Sequence, residues 1–276
     1  MRKPYPTDLT DDQWALVAPH IPPARRGGAP RRVDIREVVN AVFYVTRSGC
    51  QWRMLPHDFP SWRTVHTYFS EWRNNGTWVR LCEALRTRVR AEQHPDHPVS
   101  PQTARIDSQS VKSAGQGAEV GIDGGKMVKG RKRHIGVDSI GLLLAVVVTS
   151  ARVDDARAAP RVLKDLPGTV RDVYADNKYH NYALYGWVGG TKSSFTLRIV
   201  SRPPGTKGWV TLPRRWVVER TFGWIGRSRR HSRDYEKLTA SSEAFIRVSC
   251  ICHMLNRLRP RPEGFPAKCR AVVIGA

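Results

Sequence analysis

The sequence predicts an α/β fold with a mixed sheet, preceded by a small all-α segment. Residues 7–93 carry apolar side chains at the 3.6-residue spacing of helices, whereas β-branched runs alternate with helical patterns after residue 104. A stretch with three prolines, "AEQHPDHPVSPQ" (91–102), separates the two patterns. We therefore expect a helical domain over 1–93, a linker over 94–103, an α/β domain over 104–259 and an irregular tail over 260–276.

The net charge of the chain indicates the class of its partner. There are 46 Lys and Arg residues against 24 Asp and Glu, a formal charge of +22, which favours nucleic acid or an anionic membrane surface. The longest apolar run, "LLLAVVV" (142–148), is far shorter than the roughly 20 residues that span a bilayer. The amino terminus also lacks the apolar core of a signal peptide. We therefore expect a cytoplasmic, nucleic-acid-binding protein with no membrane partner.

Cap residues mark the expected helices of the amino-terminal segment. Thr10 begins a Thr-x-x-Gln capping box, and Asp34 begins an Asp-x-x-Glu pattern whose helix is closed by Gly49. The run "SWRTVHTYFSEWRNNG" (61–76) predicts another helix that ends at Asn75 and Gly76.

Short helices joined by tight turns allow two interpretations here. One is a helix-turn-helix-like, DNA-binding domain in which the 61–74 helix points Arg63 and Arg73 outward. The other is an ordinary helical bundle with a solvated outer face. The apolar pattern alone does not distinguish them.

The second half of the chain predicts strands and helices in alternation. A hairpin that turns at 138–141 is followed by a short helix, a strand, another strand and two long helices, which is typical of an α/β fold with a mixed sheet. The segments are "RHIGVDSIGLLLAVVVTSA", "DDARAAPRVLKDL", "TVRDVYAD", "SSFTLRIVSR", "LPRRWVVERTFGWIGRSRRH" and "SSEAFIRVSCICHMLNRL".

Two aspartates follow predicted strands, and one glutamate lies on a predicted helix. Asp107 ends "ARID", Asp176 ends "VRDVYAD", and ligand sites in open α/β sheets lie at the carboxyl ends of strands. Glu219 would approach from a helix packed on the sheet. Three carboxylates suit Mg²⁺ or Mn²⁺, and a pair of such ions can clamp a phosphodiester. The alternative for Glu219 is a solvated ion pair with Arg215.

Other acidic residues compete for the metal-ligand role. Asp138 is expected in a turn, Asp154 and Asp155 resemble helix caps, and Asp172 lies in the same strand as Asp176. On the helix of Glu219, Gly223 and Gly226 share its stripe, which indicates that something approaches the backbone closely there.

A basic run, "KMVKGRKRH" (126–134), follows a glycine-rich stretch and contains no acidic residue. We interpret it as a flexible loop that tracks phosphates. A solvated charge run is the alternative. The candidate phosphate-binding side chains are Lys126, Lys129, Arg131, Lys132, Arg133 and His134, with Arg227 and the rest of "RSRRHSRDYEK" (227–237) continuing the later basic helix.

Several motifs together resemble one protein family. "IDSQSVKS", "GGKMVKGRKRHIGVDSIGLLLAVVV", "YADNKYH", "RRWVVERTFGWIGRSRRHSRDYEKL" and the amino-terminal "GCQWRMLPHDFPSWRTVHTYFSEW" are similar to bacterial insertion-sequence DDE transposases of the insertion-sequence-five type. The resemblance runs from about residue 7 to 258. It implies an RNase H-like catalytic domain in which Asp107, Asp176 and Glu219 bind two Mg²⁺ or Mn²⁺ ions, flanked by Arg215 and Arg220.

The resemblance also implies an activity and partners. Such a protein cuts double-stranded DNA at the terminal inverted repeats of its own element, joins the ends to target DNA, and acts as a homodimer on DNA at the bacterial nucleoid. A DNA-binding protein that does not cut and an RNase H-like nuclease without strand transfer are the alternatives. Where the family usually shows Asp-x-Gly-Tyr, this chain has Asp176-Asn177-Lys178-Tyr179, and we expect lysine to resist a turn that glycine would permit.

Overall fold

The computed structural model describes residues 2–24, 30–114, 117, 119–191, 195–201 and 216–261. In these ranges the chain forms a curled mixed sheet with helices on both faces. The helices are α1 Asp11–Val17, α2 Ile35–Ser48, α3 Trp62–Asn74, α4 Thr77–Gln93, α5 Asp155–Lys164, α6 Tyr182–Gly190, α7 Trp216–Gly226 and α8 Thr239–Leu258. The strands are β1 Thr103–Lys112, β2 Gly121–Asp123, β3 Val128–Val137, β4 Leu143–Ser150, β5 Asp172–Asp176 and β6 Thr196–Val200.

The amino-terminal helices begin and end at the predicted caps. Thr10 and Gln13 exchange both hydrogen bonds of a capping box at the start of α1. The Asp34 carboxylate accepts from the Arg36 N–H at the start of α2, and Gly49 ends that helix in the left-handed region. These local predictions are confirmed.

The sheet combines parallel and antiparallel pairs, as predicted. Its order is β2-β3-β1-β5-β6, and β4 also pairs with β3. β3 runs antiparallel to β1, β2 and β4, whereas β1, β5 and β6 are parallel. The β3–β4 hairpin turns at Asp138–Gly141, where the Gly141 N–H donates to the Asp138 carbonyl and Gly141 has a φ of 88°.

Two hydrophobic cores lie on opposite faces of the sheet. On one face, α5 and α6 pack against Ala104, Ile106 and Val173. On the other face, one continuous core joins α1–α4 to α7, α8 and the sheet residues Ile135 and Val146. The amino-terminal helices therefore share their core with the sheet and do not form a separately packed unit in this structure.

The edge strand β4 is covered by α8. The Glu243 carboxylate on α8 accepts a hydrogen bond from the Val148 N–H at 2.8 Å, which satisfies a backbone donor of that edge. Burial raises the pKa of Glu243, because desolvation disfavours the charged carboxylate more than this donor and Arg247 favour it.

Three sequence expectations about element boundaries are wrong. β1 does not end at Asp107 but continues to Lys112, because its second half pairs with β3. The run 126–134 is not a loop, since most of it forms β3. The basic helix α7 ends at Gly226 and does not continue through 227–237.

In the part of the chain that the structure describes, helices long and apolar enough to cross a bilayer are absent.

Candidate active site

Asp107 and Asp176 lie level with each other on neighbouring parallel strands. The β1–β5 ladder pairs Arg105 with Tyr174, and each aspartate stands two residues further along its own strand. Side chains two residues apart share a face, and the Arg105 guanidinium lies 5.7 Å from the centre of the Tyr174 ring on that face. The structure therefore brings the two predicted aspartates together at the point where β5 ends.

This pair faces the side of the sheet that carries α7. Asp107 is directly opposite Ile135 in the antiparallel β1–β3 ladder, so the two side chains lie on the same face. Ile135 belongs to the core that α7 enters with Val218 and Phe222. The helix of Glu219 thus packs on the face to which both aspartates point.

The β3–β4 turn holds α7 in place. The Thr221 hydroxyl donates to the Gly141 carbonyl at 2.7 Å, and an Arg220 Nη donates to the Ile140 carbonyl at 2.8 Å. A Cβ built on Gly141 would lie only 3.0 Å from the Thr221 oxygen. The sequence predicts Gly141 as a turn residue but does not predict this contact, since a single sequence carries no signal for which helix packs on a turn.

Glu219 is exposed on α7, while its neighbours Val217 and Val218 are buried. Among the described residues, nothing lies within 4 Å of a Cβ built at Gly223 or Gly226, so the stripe that they share with Glu219 is open. The described side chains include no group of three or more His, Cys, Asp or Glu residues arranged to hold a metal ion. The structure therefore places two of the predicted ligands together and the third on the adjoining helix, without a preformed three-ligand group.

The turn after Asp176 accepts lysine without strain. Residues Asn177–Tyr179 form a 3₁₀ turn in which the Asp176 carboxylate accepts from the Lys178 N–H at 3.0 Å. Lys178 has a negative φ, so glycine is not required there. Tyr179 is buried and anchors the turn. The expectation that lysine would resist this turn is wrong.

The competing aspartates have structural partners. Asp154 caps α5, as predicted, and Asp172 forms an ion pair with Arg198 at 2.6 Å. Asp155 is not a cap but a buried carboxylate that accepts from the Ser108 hydroxyl at 2.7 Å. Asp138 stabilises its own turn by accepting from the Ile140 and Leu142 N–H groups.

Four predicted phosphate-binding side chains are buried in β3, which corrects their assignment. Arg131 is fully buried and forms an ion pair with Asp234 at 3.0 Å. Arg133 is also buried and donates to the His231 carbonyl, and burial lowers its pKa to about 10. On the opposite face of the strand, Lys132 lies 3.1 Å from Asp155.

His134 is the fourth buried member of that run. Its Nε2 lies 3.0 Å from the Thr149 hydroxyl, and burial lowers its pKa to about 4, against a smaller opposing effect of Asp155. It is therefore neutral at physiological pH and presents no positive charge to a phosphate. Arg131, Lys132 and Arg133 therefore hold the sheet to its flanking segments, and His134 bonds the neighbouring strand β4, instead of facing solvent.

Other predicted DNA contacts divide into exposed and structural side chains. Lys126, Lys129, Arg63 and Arg227 are exposed. Arg73 donates to the Ser241 hydroxyl at 2.6 Å.

Arg220 is half-buried between two rings, with its guanidinium carbon 4.5 Å from the centre of Trp216 and 4.7 Å from that of Trp224. Burial lowers its pKa, and nearby Arg257 adds to the effect. Arg220 therefore positions α7. Arg215 lies outside the described residues.

The segment after α7 alternates between buried and exposed cations. Arg230 is buried, with an ion pair to Glu236 at 2.6 Å, whereas Arg227, Arg229 and Arg233 are exposed. The backbone of this segment covers Arg131 and Arg133, which lie on the face of the sheet to which the two aspartates point. Sequence reasoning missed this division, since charge alone does not show which side chain faces inward.

Two family models match the chain. The model described as "Putative transposase of IS4/5 family" matches residues 9–82, and the model described as "Transposase DDE domain" matches residues 100–255. The first therefore covers α1, α2, α3 and the start of α4, and the second runs from β1 into α8.

Two curated proteins of Burkholderia cepacia are similar to the chain. "Insertion element IS402 uncharacterized 16.2 kDa protein" is 30% identical over 131 residues, which are 44% of this chain and 82% of the relative. "Putative transposase for insertion sequence element IS402" is 29% identical over 144 residues, 47% of this chain and 65% of the relative.

Proposed function

Because the chain belongs to the DDE transposases of the IS4/5 family, we propose that it cuts DNA at the terminal inverted repeats of its own insertion element and joins those ends to target DNA. The chemistry is assigned to Asp107, Asp176 and Glu219. The observation that carries the assignment is the level placement of the two aspartates on neighbouring parallel strands, on the face where α7 packs.

The arrangement of these elements supports an RNase H-like catalytic unit. Asp107 and Asp176 are on adjacent central strands of a mixed sheet, and the helix that carries Glu219 packs on the same face. The β3–β4 turn fixes the position of that helix through Thr221 and Arg220. Glu219 would reach the aspartates from this helix, and the stripe that it shares with Gly223 and Gly226 has no described atom within 4 Å of an added Cβ, which leaves room for a DNA strand beside it.

The donor set fits divalent metal ions. Carboxylate oxygens are hard ligands of the kind that Mg²⁺ and Mn²⁺ prefer. Two bound ions would activate water and stabilise the leaving oxygen of a phosphodiester. Asp107 and Asp176 would hold the ions from the sheet, and Glu219 would complete the site from α7.

The protein's own residues also orient the DNA. Arg227, Arg229 and Arg233 are exposed on the segment that covers the carboxylate face, and they would bind phosphates and so hold the scissile bond against the site. Arg63 on the outer face of α3 would add a contact to the terminal repeat, and a homodimer would hold two element ends together. The turnover consists of two in-line phosphoryl transfers. Water first releases a 3′ hydroxyl from the element end, and that hydroxyl then attacks a target phosphodiester.

The test uses DNA that carries the element's ends, taken from the sequence flanking the coding region. Wild type with Mg²⁺ or Mn²⁺ should nick at the repeat and join the end to a supercoiled plasmid. Asp107→Asn, Asp176→Asn and Glu219→Gln should each bind the duplex within about threefold of wild type, because phosphate contacts dominate affinity, yet fail to cut. Asp172→Asn is the matched control, since this carboxylate is on the same strand but pairs with Arg198.

The alternatives predict different products. A nuclease without strand transfer would nick DNA that lacks the repeats and yield no joined product. A DNA-binding protein without catalysis would bind the repeats in gel shifts and never nick them. Cutting by any of the three carboxylate variants at the wild-type rate would remove that residue from the site.

A further inference from the structure

The hairpin formed by β2, the turn 124–127 and the start of β3 displays apolar side chains to solvent. Met127 is 81% exposed and Ile122 is 56% exposed. Exposed apolar residues grouped at one point mark contact sites more often than isolated ones do. Lys126 and Lys129 are exposed on the same hairpin. The hairpin therefore combines two exposed apolar side chains with two exposed cations.

The backbone of the turn 124–127, the tip of the hairpin, is held in an unfavourable conformation. Met127 has a φ of 51°, in the left-handed region that side chains other than Gly, Asn and Asp rarely adopt. Methionine is thus disfavoured here by its backbone as well as by its exposure. Such strain persists where the surrounding structure imposes it, and it is concentrated at functional sites.

The surrounding structure imposes this conformation through Asp123. One oxygen of its carboxylate accepts from the Gly125 N–H at 3.1 Å and the Lys126 N–H at 3.2 Å. The other oxygen accepts from the Ser110 hydroxyl and lies 3.7 Å from the Lys132 ammonium. These contacts tie the tip to β1 and β3, so Met127 is presented by a fixed support.

The hairpin lies further along the strands than the two carboxylates, and its side chains Ile122 and Lys129 are on the face to which the carboxylates point. Lys129 and Ile135 are separated by an even number of residues on β3, so they share a face, and Ile122 is paired with Lys129. Ile135 is opposite Asp107. The start of β3 at Val128 lies seven residues from Ile135, about 23 Å along the strand, which is the length of about seven base pairs of DNA.

We propose that the β2–β3 hairpin is a wedge for double-stranded DNA, in which Met127 enters the base stack about seven base pairs from the cleaved bond while Lys126 and Lys129 bind the flanking phosphates. Apolar side chains that enter between base steps unstack them and bend the duplex. The two lysines make the hairpin complementary to DNA rather than to a neutral protein surface. The wedge rests on the proposed function, since it concerns the same DNA as the carboxylates.

The test is a set of duplexes of about four helical turns that carry one element end and a single 2-aminopurine, whose fluorescence rises when it is unstacked. The 2-aminopurine is moved through the first helical turn from the cut. Wild type should raise the fluorescence several-fold at one or two positions near the seventh base pair. Met127→Ala should abolish most of that rise while weakening binding by less than about tenfold, because phosphate contacts supply most of the affinity.

Three further variants keep the result interpretable. Met54→Ala removes a methionine that is 69% exposed on a different turn and should match wild type. Met127→Gly relieves the positive φ, so its Tm should equal or exceed that of wild type while the fluorescence rise is lost. In the double variant Lys126→Gln with Lys129→Gln, log K for DNA binding should fall less steeply with log salt concentration, and the magnitude of that slope should decrease by about two.

Two results would overturn the wedge and leave the proposed function standing. One is cutting at the element end with no position at which the 2-aminopurine fluorescence rises. The other is a rise in 2-aminopurine fluorescence that persists in both Met127→Ala and Met127→Gly. A Met127→Ala variant that changes the oligomeric state but not the fluorescence would assign the tip to contacts between copies of the chain. If wild type fails to bind the element end at all, the proposed function fails together with the wedge.

Discussion

Arg90 and Asp138 form a buried ion pair between α4 and the β3–β4 turn, with an Nη–Oδ distance of 2.6 Å. Arg90 also donates to the carbonyls of Pro98 and Val99, so it ties down the connection between the helices and β1. Because the same turn holds α7 through Thr221, this pair links the amino-terminal helices to the helix of Glu219.

Breaking this pair should destabilise the whole protein. Asp138→Asn leaves a buried guanidinium without its counter-charge, and we expect the free energy of unfolding to fall by about 3–5 kcal/mol. Urea unfolding followed by tryptophan fluorescence measures the change. The control is Glu92→Gln, whose exposed carboxylate pairs with both Arg88 and Arg259, and which should cost about 1 kcal/mol or less. Equal effects of the two variants would contradict a structural role for the buried pair.

Gly141→Ala should displace α7. The new methyl group would lie 3.0–3.2 Å from side-chain atoms of Thr221, Arg220 and Trp224, at a φ of 88° that alanine disfavours. We expect a loss of stability of about 1–3 kcal/mol and a larger loss of DNA cutting than of DNA binding, because Glu219 moves with the helix. Gly168→Ala, where no described atom lies within 4 Å of the added Cβ, should leave both readouts close to wild type.

Buried and exposed arginines should respond in opposite ways. Arg131→Gln removes a fully buried partner of Asp234, so we expect a loss of about 3–5 kcal/mol of stability. Arg227→Gln removes an exposed charge, so its Tm should remain at the wild-type value while the salt slope of DNA binding falls by about one. Differential scanning calorimetry and salt-dependent gel shifts separate the two cases. A destabilised Arg227 variant, or an Arg131 variant that lost only DNA affinity, would contradict the structural role of Arg131 and the DNA-binding role of Arg227.

His231 should contribute to acid instability. Burial lowers its pKa from 6.5 to about 3, and Arg133 and Arg230 add to the shift. The unfolded chain therefore takes up a proton first as the pH falls below 6.5, so stability decreases from there toward pH 3.

His231→Gln should start less stable, because it loses the contact with Ser249, but should lose stability less steeply between about pH 7 and about pH 4.5. The exposed His57→Gln variant is the control. A slope unchanged by His231→Gln would rule out this histidine as a source of the acid sensitivity.

The sequence predicted the elements whose signals are local. The capping box at Thr10, the glycine stop at Gly49 and the turn at Asp138–Gly141 depend on residues that are neighbours in the chain, and all three are confirmed. The mixed sheet followed from the order of hairpin and alternating elements, and it is also confirmed.

The burial of the basic run could not be read from the sequence. Arg131 and Arg133 look like phosphate ligands until Asp234 and the His231 carbonyl, about a hundred residues later, are placed over them. Nor does the sequence show that Ile122 and Met127 lie together on one hairpin, since the pairing of β2 with β3 has no local signal in this glycine-rich stretch.

The proposed function requires Asp107, Asp176 and Glu219 to meet around metal ions against a DNA strand. The most direct measurement is anomalous diffraction from crystals of the protein grown with an element-end duplex and Mn²⁺. We predict anomalous peaks within coordination distance of carboxylate oxygens from all three residues, with the scissile phosphate bridging them. Manganese held by other side chains, or a Glu219 carboxylate that lies out of coordination distance of the manganese with DNA bound, would contradict the assignment.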